Sequence, residues 1–267
     1  MPEPSVKSPV GTPFIELSSV DSTNNYALTQ LRAGLAHHGA AFFAHEQFAG
    51  RGQRGKTWAA ERDSSLILSV VIDPGPLSVN RQFELSAMVA LATAEFLMHY
   101  AVSDITIKWP NDLYWRDRKA GGILIENIIG AGQGAERPGD WQWAVVGIGI
   151  NLNQAAFPPD LKNPVSLRQI TGKSHDPVKL AKELCESLER RYTELVTDGF
   201  DKIYLEYLSL LYKKDQVARL KKGTRVFDGL IKRVTTTGEL EVEHGIRESF
   251  QFGEIEWILQ SPDDKIL

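Results

Sequence analysis

Only the short stretch WAAERDSS separates the glycine- and cation-rich segment GRGQRGKT, residues 50–57, from the apolar run LILSVVI. That spacing limits the fold more than any other feature. GRGQRGKT fits G-x-x-x-x-G-K-[ST], the pattern of phosphate-cradling loops. Such a loop needs a strand before it and a long helix after it, because amides at the helix N-terminus hold the phosphate. The strand is present in AAFFAHEQFA, but so short a following segment leaves no room for a stable helix. The nearest acidic candidate, Asp73, ends the very next strand, whereas a βαβ crossover needs about a dozen residues or more between strands. The segment therefore reads as a loop, between strands that pair mostly with their sequence neighbours and antiparallel.

The rest of the chain fits that frame. FIEL reads as a short strand, and DSTNNYALTQLRAGL as a helix capped by Asp21, Ser22 or Thr23 and ended by Gly34. AAFFAHEQ and SSLILSVVI read as buried strands, and NRQFELSAMVALATAEFLMHYA as a central packing helix. DITIKW is a strand. DLYW, RDRK and AGGILIENIIG read as strand, turn and strand. GAGQGAERPGD is a glycine-rich connection, and WQWAVVGIGINLN a strand running into a loop. Residues 154–176 carry Pro158, Pro159 and Pro164 and read as irregular. PVKLAKELCESLERRYTELV and FDKIYLEYLSLLYK are two helices. From about Gln216 short strand-like runs alternate with turn signals, as in a small β-barrel. The expected class is α+β: a mixed, mainly antiparallel sheet with packed helices, plus the C-terminal barrel. The expected divisions are a flexible segment at 1–13, a main domain at 14–215 and the barrel at 216–267.

Composition removes several function classes. The formal net charge of −4 provides no global basic field for nucleic acid. The single cysteine, Cys185, lies in a helical pattern and reads as a core residue. MPEPSVKSPVGTPF has no apolar centre, and no apolar run approaches the ~18 residues of a membrane span. A soluble cytoplasmic protein is expected, with no membrane partner. The histidines, His37 and His38 included, show no metal-ligand spacing, so no metal site is assigned. No Ser-His-Asp set is legible.

Four stretches carry chemistry. The 50–57 loop combines three glycines with Arg51, Arg54 and Lys56, and Trp58 follows. It is either a solvated basic loop or one that folds over an anionic, planar ligand such as a nucleotide. In IKWPNDLYWRDRKAGGILIEN, Pro110 interrupts the strand, Asn111 and Asp112 follow, and Lys119 precedes Ala120, Gly121 and Gly122. This is a polar hairpin turn, or a pocket floor where glycines admit a ligand to the strand backbone. VVGIGINLN has Leu152 where a dinucleotide fingerprint needs its third glycine. Its glycines mark either a strand crossed by another backbone or a site with Asn151 at the strand end. DSTNNY is a helix cap, or a set of hydroxyls and an amide facing a small polar ligand.

In this order, DSTNNY, EQFAGRGQRGKTW, KWPNDLYWRDRKAGGILIE and VVGIGINLN resemble the biotin protein ligases, also called biotin–[acetyl-CoA-carboxylase] ligases. The resemblance covers about residues 14 to 153, and the C-terminal β segment resembles the family's SH3-like domain more loosely. It implies a class II synthetase-like core that joins biotin and ATP, with Mg²⁺, into biotinyl-5′-AMP and passes biotin to a lysine of a biotin carboxyl carrier protein. It also implies residue roles. Ser22, Thr23, Asn24 and Gln47 would line the biotin head site, with Gly122 as its floor. Gly50, Arg51, Gly52, Gln53 and Arg54 would form the adenylate loop, with Trp58 and Asn151 near adenine. Lys119 would lie against the biotin carboxylate and α-phosphate, with Arg51 and Asp112 assisting. Many family members carry Arg where this chain has Gln53, which puts adenylate retention in doubt unless Arg54 or Lys56 compensates. About a dozen residues precede the first strand, so no helix-turn-helix and no nucleic-acid partner are expected. An exposed strand edge would allow a homodimer. The alternatives are a lipoate or octanoate ligase or transferase of the related fold, a nucleic-acid-binding module and, last, a P-loop ATPase.

Overall fold

The computed structural model describes residues 7–259 except 59, 76, 102, 131–140 and 160. The chain runs β1 (Phe14–Leu17), α1 (Thr23–Arg32), β2 (Ala41–Ala44), β3 (Ser65–Ile72), α2 (Gln82–Ala101), β4 (Ile105–Lys108), β5 (Asp112–Trp115), β6 (Arg118–Ile129) and β7 (Trp141–Asn151). It continues with α3 (Leu167–Thr171), α4 (Pro177–Thr197), α5 (Asp201–Ser209), β8 (Val217–Lys222), β9 (Arg225–Val234), β10 (Leu240–Glu243), β11 (Arg247–Phe250) and β12 (Glu256–Trp257). The architecture is mixed α+β. A seven-stranded sheet has the order β1-β2-β3-β7-β6-β5-β4, and a five-stranded sheet the order β11-β10-β9-β8-β12. All pairings are antiparallel except β1 with β2, which run parallel with α1 between them.

Alternation along β3 and β7 sorts the layers, because successive side chains point to opposite faces. Leu66, Leu68, Val70, Val146, Ile148 and Ile150 enter the main core with α2, α4 and α5. On the other face Val71 and Val145 join Phe42, Ala27 and Leu31 under α1. Farther along, that face carries Ser69, Gly147, Gly149 and Asn151, with Ser69 opposite Gly147. A helix therefore covers one end of this face, and small or polar residues leave a trough at the other.

Local chemistry fixes the elements as the sequence suggests. Ser22 caps α1, accepting from the Asn25 N–H. Asp176 caps α4, with Pro177 in its first turn. The stretch expected to be irregular contains α3, because Ser166 and Gln169 form a reciprocal capping box and Gly172 closes the helix in the left-handed region. Residues 7–13, part of the segment expected to be flexible, are mostly exposed and make contact with the rest of the chain. Val10 is buried and its N–H donates to Glu189, while Lys7 pairs with Asp73 at 2.8 Å. Residues 1–6, and most of the glycine-rich connection, lie outside the described residues. Cys185 is buried in α4 as expected, and burial pushes its thiol up to about 12.

The second sheet shares the first sheet's core: Leu220, Ile231, Val234, Leu240, Val242 and Phe250 belong to the same apolar cluster as α2. The Trp109 indole N–H donates to Gly238 O at 2.9 Å, and Tyr212 N–H donates to Ile107 O. The short β12 places Trp257 beside Tyr212, ring centroids 5.6 Å apart.

Candidate active site

The trough on the β3–β7–β6 face is built from α1 outward. The first turn of α1 lowers Thr23 and Asn24 onto the sheet. Ser69 Oγ sits between them, 2.7 Å from Thr23 Oγ1 and 2.6 Å from Asn24 Oδ1. The Thr23 N–H donates to Gln47 Oε1 at 2.9 Å. Asn24 Nδ2 donates to Glu126 Oε2 at 2.8 Å and to Leu124 O at 3.3 Å. Gly147 makes this seat: a Cβ there would stand 2.3 Å from Asn24 Oδ1. Thr23, Asn24, Gln47 and Ser69 are all buried, so their hydrogen bonds hold one polar arrangement in place.

The GRGQRGKT segment is a closed loop. Gly52 N–H donates to Lys56 O at 2.6 Å, Trp58 N–H to Gly50 O at 2.9 Å, and Arg51 bridges Thr57. Its tip is a single 3-10 turn, Gln53–Gly55, with Arg54 (φ 57°) and Gly55 (φ 75°) left-handed. Among the described residues no helix follows before β3, which removes the P-loop reading. Arg51 reaches across the trough to Glu126, Nη2 lying 2.9 and 2.7 Å from its carboxylate oxygens. Arg54 extends toward the second sheet, its guanidinium carbon 5.9 Å from the Phe252 ring centroid. The loop, β6 residues Leu124, Ile125 and Glu126, and Phe252 line an open cleft of about 620 Å³.

Trp58 closes the inner end. Its indole lies on Gly149, where a Cβ would come within 2.6 Å of Cε2. The glycines of VVGIGINLN therefore admit side chains, Asn24 and Trp58, and not a crossing backbone. The Trp58 indole N–H is buried with no acceptor among the described residues. Lys119 Nζ stands 5.8 Å from the Trp58 ring centroid.

Lys119 has a fixed base. Its N–H donates to Asn163 O at 2.7 Å, and its carbonyl accepts from Val165 N–H at 2.8 Å. Asn151 Nδ2 donates to the same carbonyl at 3.3 Å and to Val165 O at 3.2 Å. The ammonium pairs with Asp112 Oδ1 at 2.6 Å. Gly122, opposite Asp112 in the β5–β6 ladder, lies beneath the pair: a Cβ there would be 3.4 Å from Asp112 Oδ1 and 3.5 Å from Lys119 Nζ. Asn111 ties the turn to β6, with Ile123 N–H donating to its carbonyl at 3.0 Å. On the other side of Asp112, Lys108 Nζ lies 4.0 Å from Oδ2.

The sequence-selected residues thus fall into three connected groups. Thr23, Asn24 and Gln47 form the polar seat, with Ser22 buried as the cap beside it. Gly50, Arg51, Gly52, Gln53 and Arg54 form the loop. Trp58, Asp112, Lys119, Gly122 and Asn151 gather at the inner end. Asn151 acts here on the Lys119 backbone, and Arg54 faces the second sheet. Sequence reading passed over Glu126, Ser69 and Lys108. Period-two alternation from Gly122 through Leu124 to Glu126, and from Val71 to Ser69, places the first two on the site face. Lys108 stands four residues before Asp112, across the proline-interrupted turn.

Comparison with known proteins gives a consistent picture. The Biotin/lipoate A/B protein ligase family matches residues 16–137. The biotin–[acetyl-CoA-carboxylase] ligase of Paracoccus denitrificans is 33% identical over 84% of this chain and 91% of its own length. The bifunctional ligase/repressor BirA of Salmonella typhimurium is 31% identical over 90% of this chain and 72% of its own. Among solved structures, the biotin protein ligase of Aquifex aeolicus in complex with biotin and ATP superposes with a TM-score of 0.74 at 23% identity, covering 92% of this chain and 98% of that one. At that identity the superposition speaks for the fold.

Proposed function

The chain belongs to the biotin protein ligases of the biotin/lipoate protein ligase family, and on that premise we propose that it activates biotin with ATP and transfers it to a carrier-protein lysine. The observation that carries the reading is the Lys119–Asp112 pair, fixed on Gly122 at the end of a trough that begins at Thr23 and Asn24. A partly buried cation at the end of a small polar trough suits a carboxylate that must meet a phosphate.

In the first step a biotin carboxylate oxygen attacks the α-phosphorus. The bond from that phosphorus to the oxygen bridging it to the β-phosphorus breaks, and pyrophosphate leaves. Both reactants are anions, so the cost is charge repulsion. Lys119 would stand against both, and Arg51 would bring a second cation on the loop; together they offset the charge that builds in the transition state. Thr23, Asn24 and Gln47 hold the biotin head, and Trp58 offers adenine a face and a free N–H. Mg²⁺ would come with the ATP phosphates and would offset part of their charge.

In the second step the neutral amine of the carrier lysine attacks the acyl carbon, the bond from that carbon to the phosphate oxygen breaks, AMP leaves, and the nitrogen's proton passes to solvent. We assign Asp112 to orienting Lys119, since a 2.6 Å ion pair commits its carboxylate to that ammonium. The loop excludes water from the mixed anhydride. Gln53 gives it one fewer cation, and Arg54 is turned toward Phe252. We take residues 14–215 as the catalytic domain and 216–267 as a second domain against which the loop tip rests. The carrier is the biotinylated subunit of a carboxylase such as acetyl-CoA carboxylase. No described helix is long and apolar enough to cross a membrane, and we place the reaction in the cytoplasm.

The test is transfer to an isolated carrier domain with ATP and Mg²⁺. Biotin should be attached to the wild-type carrier and not to one whose acceptor lysine is Arg, and excess lipoate should not compete. Attachment of lipoate in preference to biotin would move the chain to the lipoate branch.

A further inference from the structure

Lys108 is charged by composition and yet only 8% exposed. Its ammonium is boxed by aromatic rings from two sheets: Tyr114 of β5 lies 5.2 Å away and Trp257 of β12 lies 5.3 Å away, centroid to nitrogen. Tyr212 backs both rings, 5.2 Å from Tyr114 and 5.6 Å from Trp257, and donates its hydroxyl to Asp117 at 2.7 Å. The third side is Asp112, whose other oxygen binds Lys119. One carboxylate thus bridges two ammoniums, one beside the trough and one sealed behind it by the C-terminal sheet.

Resting on the ligase reading above, we infer that Lys108 is a positioning residue for adenylate formation: seated by Tyr114 and Trp257, it holds the charge of Asp112 when Lys119 turns to the substrate phosphate. The reason is electrostatic. Lys119 cannot serve a carboxylate and a phosphate equally while Asp112 depends on it alone, because a buried, unpaired carboxylate is costly. A second cation at 4.0 Å removes that cost without entering the trough. Ring faces favour an ammonium at this range. The C-terminal sheet acts on the chemistry through Trp257, without touching substrate.

Burial pushes the Lys108 ammonium down to about 8; Asp112 opposes the shift, while Lys119 and Lys56 add to it. The device therefore operates while Lys108 is protonated and weakens as pH rises through that value.

The experiment is the pH profile of biotin-dependent pyrophosphate release for wild type, Lys108→Met, Lys108→Arg and Trp257→Leu. Lys108→Met should lower kcat by about 100-fold, the scale of a misplaced catalytic group, with KM for biotin unchanged. Wild type should lose activity above about 8. Lys108→Arg, which keeps its charge, should retain activity there, and Trp257→Leu, by admitting water, should move the alkaline limb upward. A folded Lys108→Met with wild-type kcat, or an Arg variant with the wild-type alkaline limb, overturns the inference while leaving the ligase reading intact. A wild type that releases no biotin-dependent pyrophosphate overturns the ligase reading and this one with it.

Discussion

The indole of Trp58 rests on the backbone of Gly149, so closely that a methyl group there would stand 2.6 Å from Cε2. The contact joins two stretches ninety residues apart in the chain and makes the nucleotide end of the site sensitive to both. Trp58→Ala should weaken ATP, read as KM at saturating biotin, by about 1–3 kcal/mol, the range for a base on an aromatic face. Gly149→Ala should act in the same direction by displacing the ring. An unchanged KM in both variants would remove Trp58 from the nucleotide site.

Gly50 is squeezed from two sides. A Cβ would lie 2.1 Å from Gln47 Nε2 and 2.3 Å from Trp58 O. Gly50→Ala must push Gln47 off Thr23 and loosen the closure of the loop. Faster dissociation of biotinyl-adenylate and a higher KM for biotin are expected together. A dissociation rate equal to wild type would count against a retaining role for the loop.

His45 ties β2 to its surroundings, with Nδ1 2.5 Å from Asp63 and Nε2 2.7 Å from Glu16. Its hydrogen bonds to Asp63 and Glu16 raise its pKa above 6.5. A raised pKa means the folded state binds the proton more tightly. The stabilisation is fully present below the unfolded value and is lost as pH rises through the folded one. Denaturation at about pH 5.5 and about pH 8.5 should show wild type losing more stability on the alkaline side than His45→Gln. Parallel losses in the two proteins would remove the effect.

Much of this was legible because local rules and tertiary demands agree. The apolar run of β3 is buried along its whole length, that of β7 on its core face, and both announce themselves as strands. The start of α1 was narrowed to Asp21, Ser22 or Thr23, and the structure gives the cap to Ser22. The short link after GRGQRGKT argues against a phosphate-loop helix from spacing alone. The capping box at Ser166 and Gln169 was present in the sequence but masked by the surrounding prolines. The parallel β1–β2 pair depends on α1 crossing the sheet, which neighbour pairing does not anticipate. Within the site, residues at turns and in glycine-rich stretches stood out. Glu126 and Ser69 did not, because an isolated polar residue in a strand signals only which face it occupies. Lys108 was hidden more deeply: its box is completed by Trp257, almost 150 residues downstream, and only the packing of the second sheet brings them together.

The central claim is that Lys119 serves adenylate formation. The direct measurement is product analysis with purified protein, ATP and Mg²⁺, with and without biotin, for wild type and Lys119→Ala. The account predicts pyrophosphate and biotinyl-5′-AMP from wild type only when biotin is present, and neither from a Lys119→Ala protein with a native melting transition. Adenylate synthesis at the wild-type rate by the folded variant, or ADP and phosphate released regardless of biotin, would contradict it.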